Sequence, residues 1–307
     1  MLAGSGTLNI RSRPKYCWIN NFDYSASKIC AVNNQRYEVF MQEIPALGMG
    51  TYRLKDDVAY ASVTTALNLG YRHIDTAQLY ENEEAVGRAI ADSDVSRDEL
   101  FITTKVWMDK FSEEKFLPSV EESLTKLQLD RVDLLLVHWP DESGAVAMDD
   151  YLAQLKAAQD KGYTKHIGVS NFTNAQLDQA ISILGEGVIY TNQVEVQPFL
   201  QNQKVIAHCK ERKVRVTSYM PLAVGKVMDN AVLQDIASEL DVSPAQVALA
   251  WQFAQGLITI PSSTKESHLQ SNLEAQKISL TDEHMKAIAT LECNDRIANP
   301  DFAPKWD

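Results

Sequence analysis

The sequence predicts an α/β protein built as a single (β/α)8 barrel over residues 41–307, and three observations point to it. From Ala46 onward, short runs that are apolar on both faces alternate with longer amphipathic stretches, the pattern of buried parallel strands separated by helices. Eight such runs can be counted. The 267 residues beyond position 40 also match the roughly 250 that a closed barrel of this kind needs.

The runs are Ala46–Gly50, Arg72–Ile74, Leu100–Thr104, Val132–Val137, Lys165–Val169, Thr191–Val194, Val214–Ser218 and Leu257–Ile260. Helix starts between them are recognisable. Thr173-Asn174-Ala175-Gln176 has the capping-box pattern, and Ser243-Pro244-Ala245-Gln246 adds proline at the first helical position. A doubly wound open sheet is the alternative architecture. Such a sheet would carry G-x-G-x-x-G after its first strand, whereas Gly48-Met49-Gly50 continues to Arg53 where the third glycine would stand.

Residues 1–40 read differently. They carry five basic and two acidic residues, a charge of +3 against −12 for the whole chain, and no helical or strand period runs through them. A poorly ordered extension is expected there. Met41 directly precedes the first patterned segment, so translation is expected to start naturally at Met41; mass spectrometry of the N-terminus from the native host checks this.

The net charge of −12 argues against nucleic acid and anionic lipid as partners, because both demand clustered Lys and Arg. No apolar run approaches the roughly 18 residues of a membrane span, and no secretion signal is visible. A cytoplasmic, monomeric protein is expected. Cys17, Cys30, Cys209 and Cys293 are too scattered for a redox pair or a zinc knuckle and read as free thiols.

In a barrel of this kind the active site lies at the C-terminal ends of the strands. There the sequence places Asp75 and Tyr80 after strand two, Lys105 after strand three, His138 after strand four, and Ser170 and Asn171 after strand five. Strand six carries Gln193 near its end, Tyr219 follows strand seven, and Ser262, Ser263, Thr264 and Lys265 follow strand eight. Asp, Tyr, Lys and His together suggest proton donation to a carbonyl oxygen while hydride arrives at its carbon. Tyrosine, with an ordinary pKa of about 10, needs a neighbouring cation to give up its proton, and Lys105 held by Asp75 suits that task. Taken singly, Asp75 and Lys105 could be a buried ion pair, His138 a core histidine and Tyr80 a helix-start aromatic. Tyr52, Trp107 and Trp139 would line an apolar pocket, or simply pack the barrel rim. Gly168-Val169-Ser170 lacks the second glycine of a nucleophile elbow, and the six histidines lack zinc-ligand spacing, so no metal is expected.

Gly70-Tyr71-Arg72-His73-Ile74-Asp75-Thr76-Ala77, followed by Tyr80 and Glu83, resembles the signature of the aldo-keto reductases. The resemblance continues through Thr104-Lys105-Val106-Trp107, Val137-His138-Trp139-Pro140, Ile167 to Phe172 and Asn192-Gln193-Val194-Glu195, and spans residues 44 to 307. It implies a tetrad of Asp75, Tyr80, Lys105 and His138, with Tyr80 as the acid. It also implies that Ser170, Asn171 and Gln193 hold the nicotinamide carboxamide while Tyr219 stacks on the ring. The loop after Trp139, the run 218–223 and the stretch 293–296 are most similar to the bacterial branch that reduces 2,5-diketo-D-gluconate to 2-keto-L-gulonate and also takes methylglyoxal. The same resemblance admits a non-catalytic, cofactor-sensing partner protein on the same barrel.

At the adenosine end the sequence departs from the family pattern. Ser262 stands where many relatives have the Lys, and His268 where they have the Arg, that together bind the 2′-phosphate of NADPH; Asn272 keeps its place. NADPH is still the expected cofactor, with Lys265 as substitute cation, Ser263 and Thr264 as donors, and a helix starting near Glu266.

Overall fold

The computed structural model describes Cys30–Val32, Gln35–Tyr37 and residues 44–307, in two compact units, Met1–Glu43 and Ile44–Asp307. In the first unit, Cys30–Val32 and Gln35–Tyr37 pair antiparallel, three residues each and so too short to leave a period in the sequence. The rest of the expected 1–40 extension, with Cys17 and Met41, lies outside the described residues.

The second unit is the barrel. Its strands are Met49–Gly50, His73–Asp75, Phe101–Val106, Val132–Val137, Thr164–Ser170, Ile189–Glu195, Arg215–Tyr219 and Ile258–Thr259, all parallel and each paired with the next in sequence. The ring closes where Leu47 bridges Thr259; Gly48 N donates to Thr259 O at 2.9 Å and Thr259 N to Ala46 O at 2.8 Å. Each strand overlaps an expected run, but several extend past the first polar residue. Asp75 and Lys105 therefore belong to strands two and three rather than following them, and Ser170 and Tyr219 are the last residues of strands five and seven.

Ten α-helices accompany the strands among the described residues: α1 (Asp56–Leu69), α2 (Glu83–Ala91), α3 (Glu113–Leu127), α4 (Met148–Asp160), α5 (Asn174–Leu184), α6 (Gln203–Glu211), α7 (Ala231–Leu240), α8 (Pro244–Ala254), α9 (Glu266–Glu274) and α10 (Asp282–Ala289). Both expected capping boxes are present. Gln176 N donates to Thr173 Oγ1 at the start of α5 and Gln246 N to Ser243 Oγ at the start of α8. Gly87 permits a close helix contact: a Cβ there would lie 2.4 Å from Lys126 O, so α2 and α3 meet backbone to backbone. No helix among the described residues is long and apolar enough to cross a membrane.

Strand alternation divides the apolar residues into two cores. Ile74, Ile102, Leu135 and Val137 face the helices, whereas Phe101, Leu134, Leu136, Tyr190 and Ile258 fill the barrel with Ile44. On strand three the inward series is Phe101, Thr103 and Lys105. The same alternation that puts Phe101 low in the interior thus delivers Lys105 to the mouth.

Candidate active site

Asp75 and Lys105, both buried, meet at that mouth: Lys105 Nζ donates to Asp75 Oδ1 at 2.5 Å and to Thr76 O at 2.8 Å. The second Asp75 oxygen accepts from Gln193 Nε2 at 2.7 Å. Tyr80 ends a short helical turn, Gln78–Tyr80, and its hydroxyl lies 3.4 Å from Lys105 Nζ. The His138 ring stands edge-on to Tyr80, with centroids 5.5 Å apart. All four expected tetrad residues are therefore brought together.

Two residues not singled out in the sequence hold this turn in place. Gln78 Nε2 donates to Ser119 and Ser123 on α3, while its Oε1 accepts from Trp107 N at 3.0 Å, tying the Tyr80 turn to strand three's exit. Asn82 donates to Thr51 O and Leu54 O at 2.9 Å each and accepts from Thr76 Oγ1 at 2.7 Å. Neither carries a local signal, because the partners are 28 to 45 residues away except for Thr76.

The electrostatics follow from burial. Desolvation lowers the Lys105 ammonium, opposed by the charge and hydrogen bond of Asp75. Burial, with the Asp75 charge second, pushes the Tyr80 phenol well above its ordinary value, so it is a protonated donor. Burial, reinforced by the Lys105 charge, holds His138 well below the ordinary histidine range and hence neutral. Its Nδ1 is buried and has no hydrogen-bond partner among the described residues.

Ser170, Asn171, Gln193 and Tyr219 line the same cavity and are already linked. Tyr219 OH donates to Asn171 Oδ1 at 2.7 Å, Asn171 Nδ2 to His138 O at 3.0 Å, and Ser170 Oγ to Gln193 O at 2.8 Å. Asn171 takes a φ of +63°, which asparagine tolerates better than most residues and which turns its amide toward this cluster. The cavity measures about 490 Å³. Tyr52, Trp107 and Trp139 form part of its wall as expected. Phe302, absent from the sequence reading, completes it, edge-on to Trp107 at 5.7 Å and to Trp139 at 5.4 Å.

A second cavity of about 620 Å³ is lined by Ser263, Thr264, Lys265, His268 and Asn272, with Lys265 preceding the first residue of α9, Glu266. The two cavities share Tyr52, Arg53, Met220, Pro221 and Ser262, so they form one continuous cleft. An extended dinucleotide fits this arrangement. Buried amide and hydroxyl groups lie at the catalytic end, while exposed hydroxyls, a lysine and a helix N-terminus lie at the other. Arg53, which the sequence placed only where a fingerprint glycine is missing, lines the junction.

A closed parallel barrel with Asp, Tyr, Lys and His converging at its mouth is the architecture of a carbonyl-reducing enzyme, and residues 46–292 match the aldo/keto reductase family, to which the chain belongs. It is 51% identical over 265 residues to methylglyoxal reductase DkgB of Escherichia coli O157:H7, covering 86% of this chain and 99% of that protein. It is 38% identical over 261 residues to glyoxal reductase of Bacillus subtilis (strain 168), covering 84% and 93%. Among solved structures, "a putative 2,5-diketo-D-gluconic acid reductase B" superposes with a TM-score of 0.83 at 40% identity, covering 86% of this chain and 94% of that one. An aldo-keto reductase from a Medee basin deep-sea metagenome library gives a TM-score of 0.80 at 34% identity, covering 86% and 97%. The protein is thus an oxidoreductase that reduces carbonyl groups, and its family works with nicotinamide cofactors. The names of these relatives give no support to a non-catalytic partner protein.

Proposed function

We propose that the enzyme uses NADPH to reduce small α-oxo aldehydes such as methylglyoxal, with 2,5-diketo-D-gluconate, reduced to 2-keto-L-gulonate, as a second substrate. The observation that carries this reading is the Asp75–Lys105 pair set beneath the Tyr80 hydroxyl, beside a neutral His138. When bound, the reduced nicotinamide supplies the hydride to the carbonyl carbon. Tyr80 supplies the proton to the carbonyl oxygen, so that C=O becomes CH–OH. Lys105, 3.4 Å from the phenol oxygen, stabilises the negative charge left on it, and Asp75 fixes Lys105 in place. His138 orients the carbonyl through Nε2–H. The orphaned Nδ1 supports this tautomer, since a buried N–H without an acceptor is the rarer defect.

Ser170, Asn171 and Gln193 would hold the carboxamide, and Tyr219 would stack on the ring. Arg53 stands where the diphosphate would cross between the cavities. Ser263, Thr264 and Lys265, with Asn272, would take the 2′-phosphate end. The aromatic wall of Tyr52, Trp107, Trp139 and Phe302 favours a small, weakly polar substrate, and among the described residues Arg53 is the one Lys or Arg lining the catalytic cavity that could meet a carboxylate. A cytoplasmic, monomeric enzyme with no nucleic-acid or membrane partner suits the acidic balance.

Relative kcat/KM values for methylglyoxal, 2,5-diketo-D-gluconate and benzaldehyde, with NADPH and with NADH, test the reading. Methylglyoxal with NADPH should rank first. Absence of turnover with every carbonyl would overturn it.

A further inference from the structure

The roof of the catalytic cavity comes from a segment far away in sequence, Ile297–Pro300 with Phe302, and nothing in the barrel's own pattern holds it there. Phe302 packs on Trp107 and Trp139 at the segment's far end, while the point where the segment enters the wall, residues 297 and 298, is fastened by one carboxylate. Glu195 closes strand six and is wholly buried; its Oε1 and Oε2 accept from Ile297 N at 3.0 and 3.1 Å, and Oε2 also accepts from Ala298 N at 2.8 Å. Two consecutive backbone N–H groups thus converge on one buried anion at the point where the chain enters the cavity wall. Charge-assisted bonds of this kind are shorter and about twice as strong as neutral ones.

Other contacts bind neighbouring stretches. Gln197 Nε2 donates to Asp295 O at 2.9 Å, and Trp306 Nε1 donates to Asn299 Oδ1 at 2.8 Å. Glu195 alone supplies side-chain acceptors to residues 297 and 298 among the described residues.

We propose that Glu195 is a positioning residue for substrate recognition: its carboxylate sets the height of the 297–302 roof over the reacting carbonyl. This rests on the proposed carbonyl-reductase site; the side chain bonds to the roof, and its other link to the site is with Tyr219, its backbone partner on strand seven, which its charge also reaches. The side chain lies below the cavity wall and touches neither the tetrad nor the polar cluster of Ser170, Asn171 and Gln193 by any hydrogen bond among the described residues. A carboxylate is required rather than an amide, because both oxygens are occupied as acceptors. In Glu195→Gln one of these positions becomes an NH2 group facing a backbone N–H, donor against donor.

The test compares wild type with Glu195→Gln and with Ala298→Pro, which removes one donor from the roof segment itself and leaves the Glu195 side chain unchanged. Both variants should raise KM for methylglyoxal at least about tenfold, the factor equivalent to losing one such bond. kcat at saturation and the NADPH dissociation constant, read by tryptophan quenching, should stay within about threefold of wild type. Amide hydrogen exchange at 297–302 should accelerate in both. Unchanged KM and exchange in both variants would overturn the proposal. So would a loss of NADPH affinity and kcat with KM unchanged, the pattern of general damage. If wild type reduces no carbonyl, the proposed function falls instead, and the exchange measurement alone still decides whether Glu195 holds the roof.

Discussion

Replacing Lys105 with methionine separates what the buried ion pair does for stability from what it does for chemistry. Lys105 is wholly buried, and its three donors go to Asp75 Oδ1, Thr76 O and, at longer range, the Tyr80 hydroxyl. Methionine fills similar volume without charge, leaving the buried Asp75 carboxyl with Gln193 Nε2 as its remaining side-chain donor among the described residues. Breaking a buried pair from one side costs about 3–5 kcal/mol. For a domain of this size each kcal/mol moves Tm by roughly 2–4 °C, so a fall on the order of 10 °C is expected. The double variant Asp75→Asn/Lys105→Met removes both charges and should recover much of that loss. Turnover should not recover, because no cation then faces the Tyr80 oxygen, and kcat should stay lower by about 10²–10⁴-fold. Thermal unfolding and steady-state NADPH oxidation on all three proteins provide the comparison. A double variant less stable than Lys105→Met, or one that regains activity, would refute the assignment of the pair.

Three further outcomes are expected. Tyr80→Phe keeps the ring contacts with Tyr52 and His138 and should bind NADPH normally, yet lose about 10²–10⁴-fold in kcat; near-normal kcat removes Tyr80 from the acid's role. Lys265→Ala should weaken NADPH selectively over NADH in equilibrium binding, and equal weakening of both would remove Lys265 from the 2′-phosphate. Stability should fall on acidification, because burial pushes His73 down to about 4. Between about 6.5 and 4 the unfolded chain takes up a proton that the folded chain refuses, so stability is full above 6.5 and lost as pH drops toward 4. His73 alone contributes on the order of 3 kcal/mol to this loss. Denaturant midpoints of wild type and His73→Asn across that range should converge at low pH, and parallel curves would exclude His73 as the cause.

The barrel and tetrad were legible because each depends on pattern close to a strand. A run that is apolar on both faces marks a buried parallel strand, and the residue where the run ends marks the mouth. Strand ends were less legible, since Lys105 pairs with Leu136 and Glu195 with Tyr219 through backbone bonds indifferent to side-chain polarity. A reading that stops at the first polar residue stops early. The two helices α7 and α8 between strands seven and eight, of which Ser243-Pro244 announces only the second, show the same limit. The roof was invisible: Ile297 and Glu195 are 102 residues apart, and neither stands in a motif that names the other. Arg53 and Phe302 also act only by where the fold delivers them.

The barrel's ring has one weak joint. Strands one and eight are two residues each and are joined by a single bridge from Leu47, just before strand one, to Thr259, with flanking bonds such as Gly50 N to Pro261 O at 3.1 Å. Tyr52 and Arg53 leave the ring on one side of that joint and Ser262 on the other, and all three border both cavities. A dinucleotide lying along the cleft would span the joint like a clasp across the opening of a hoop. The gap in the ladder would then be closed from outside, and the first amides shielded from exchange when cofactor binds should be those of residues 46–50 and 259–261.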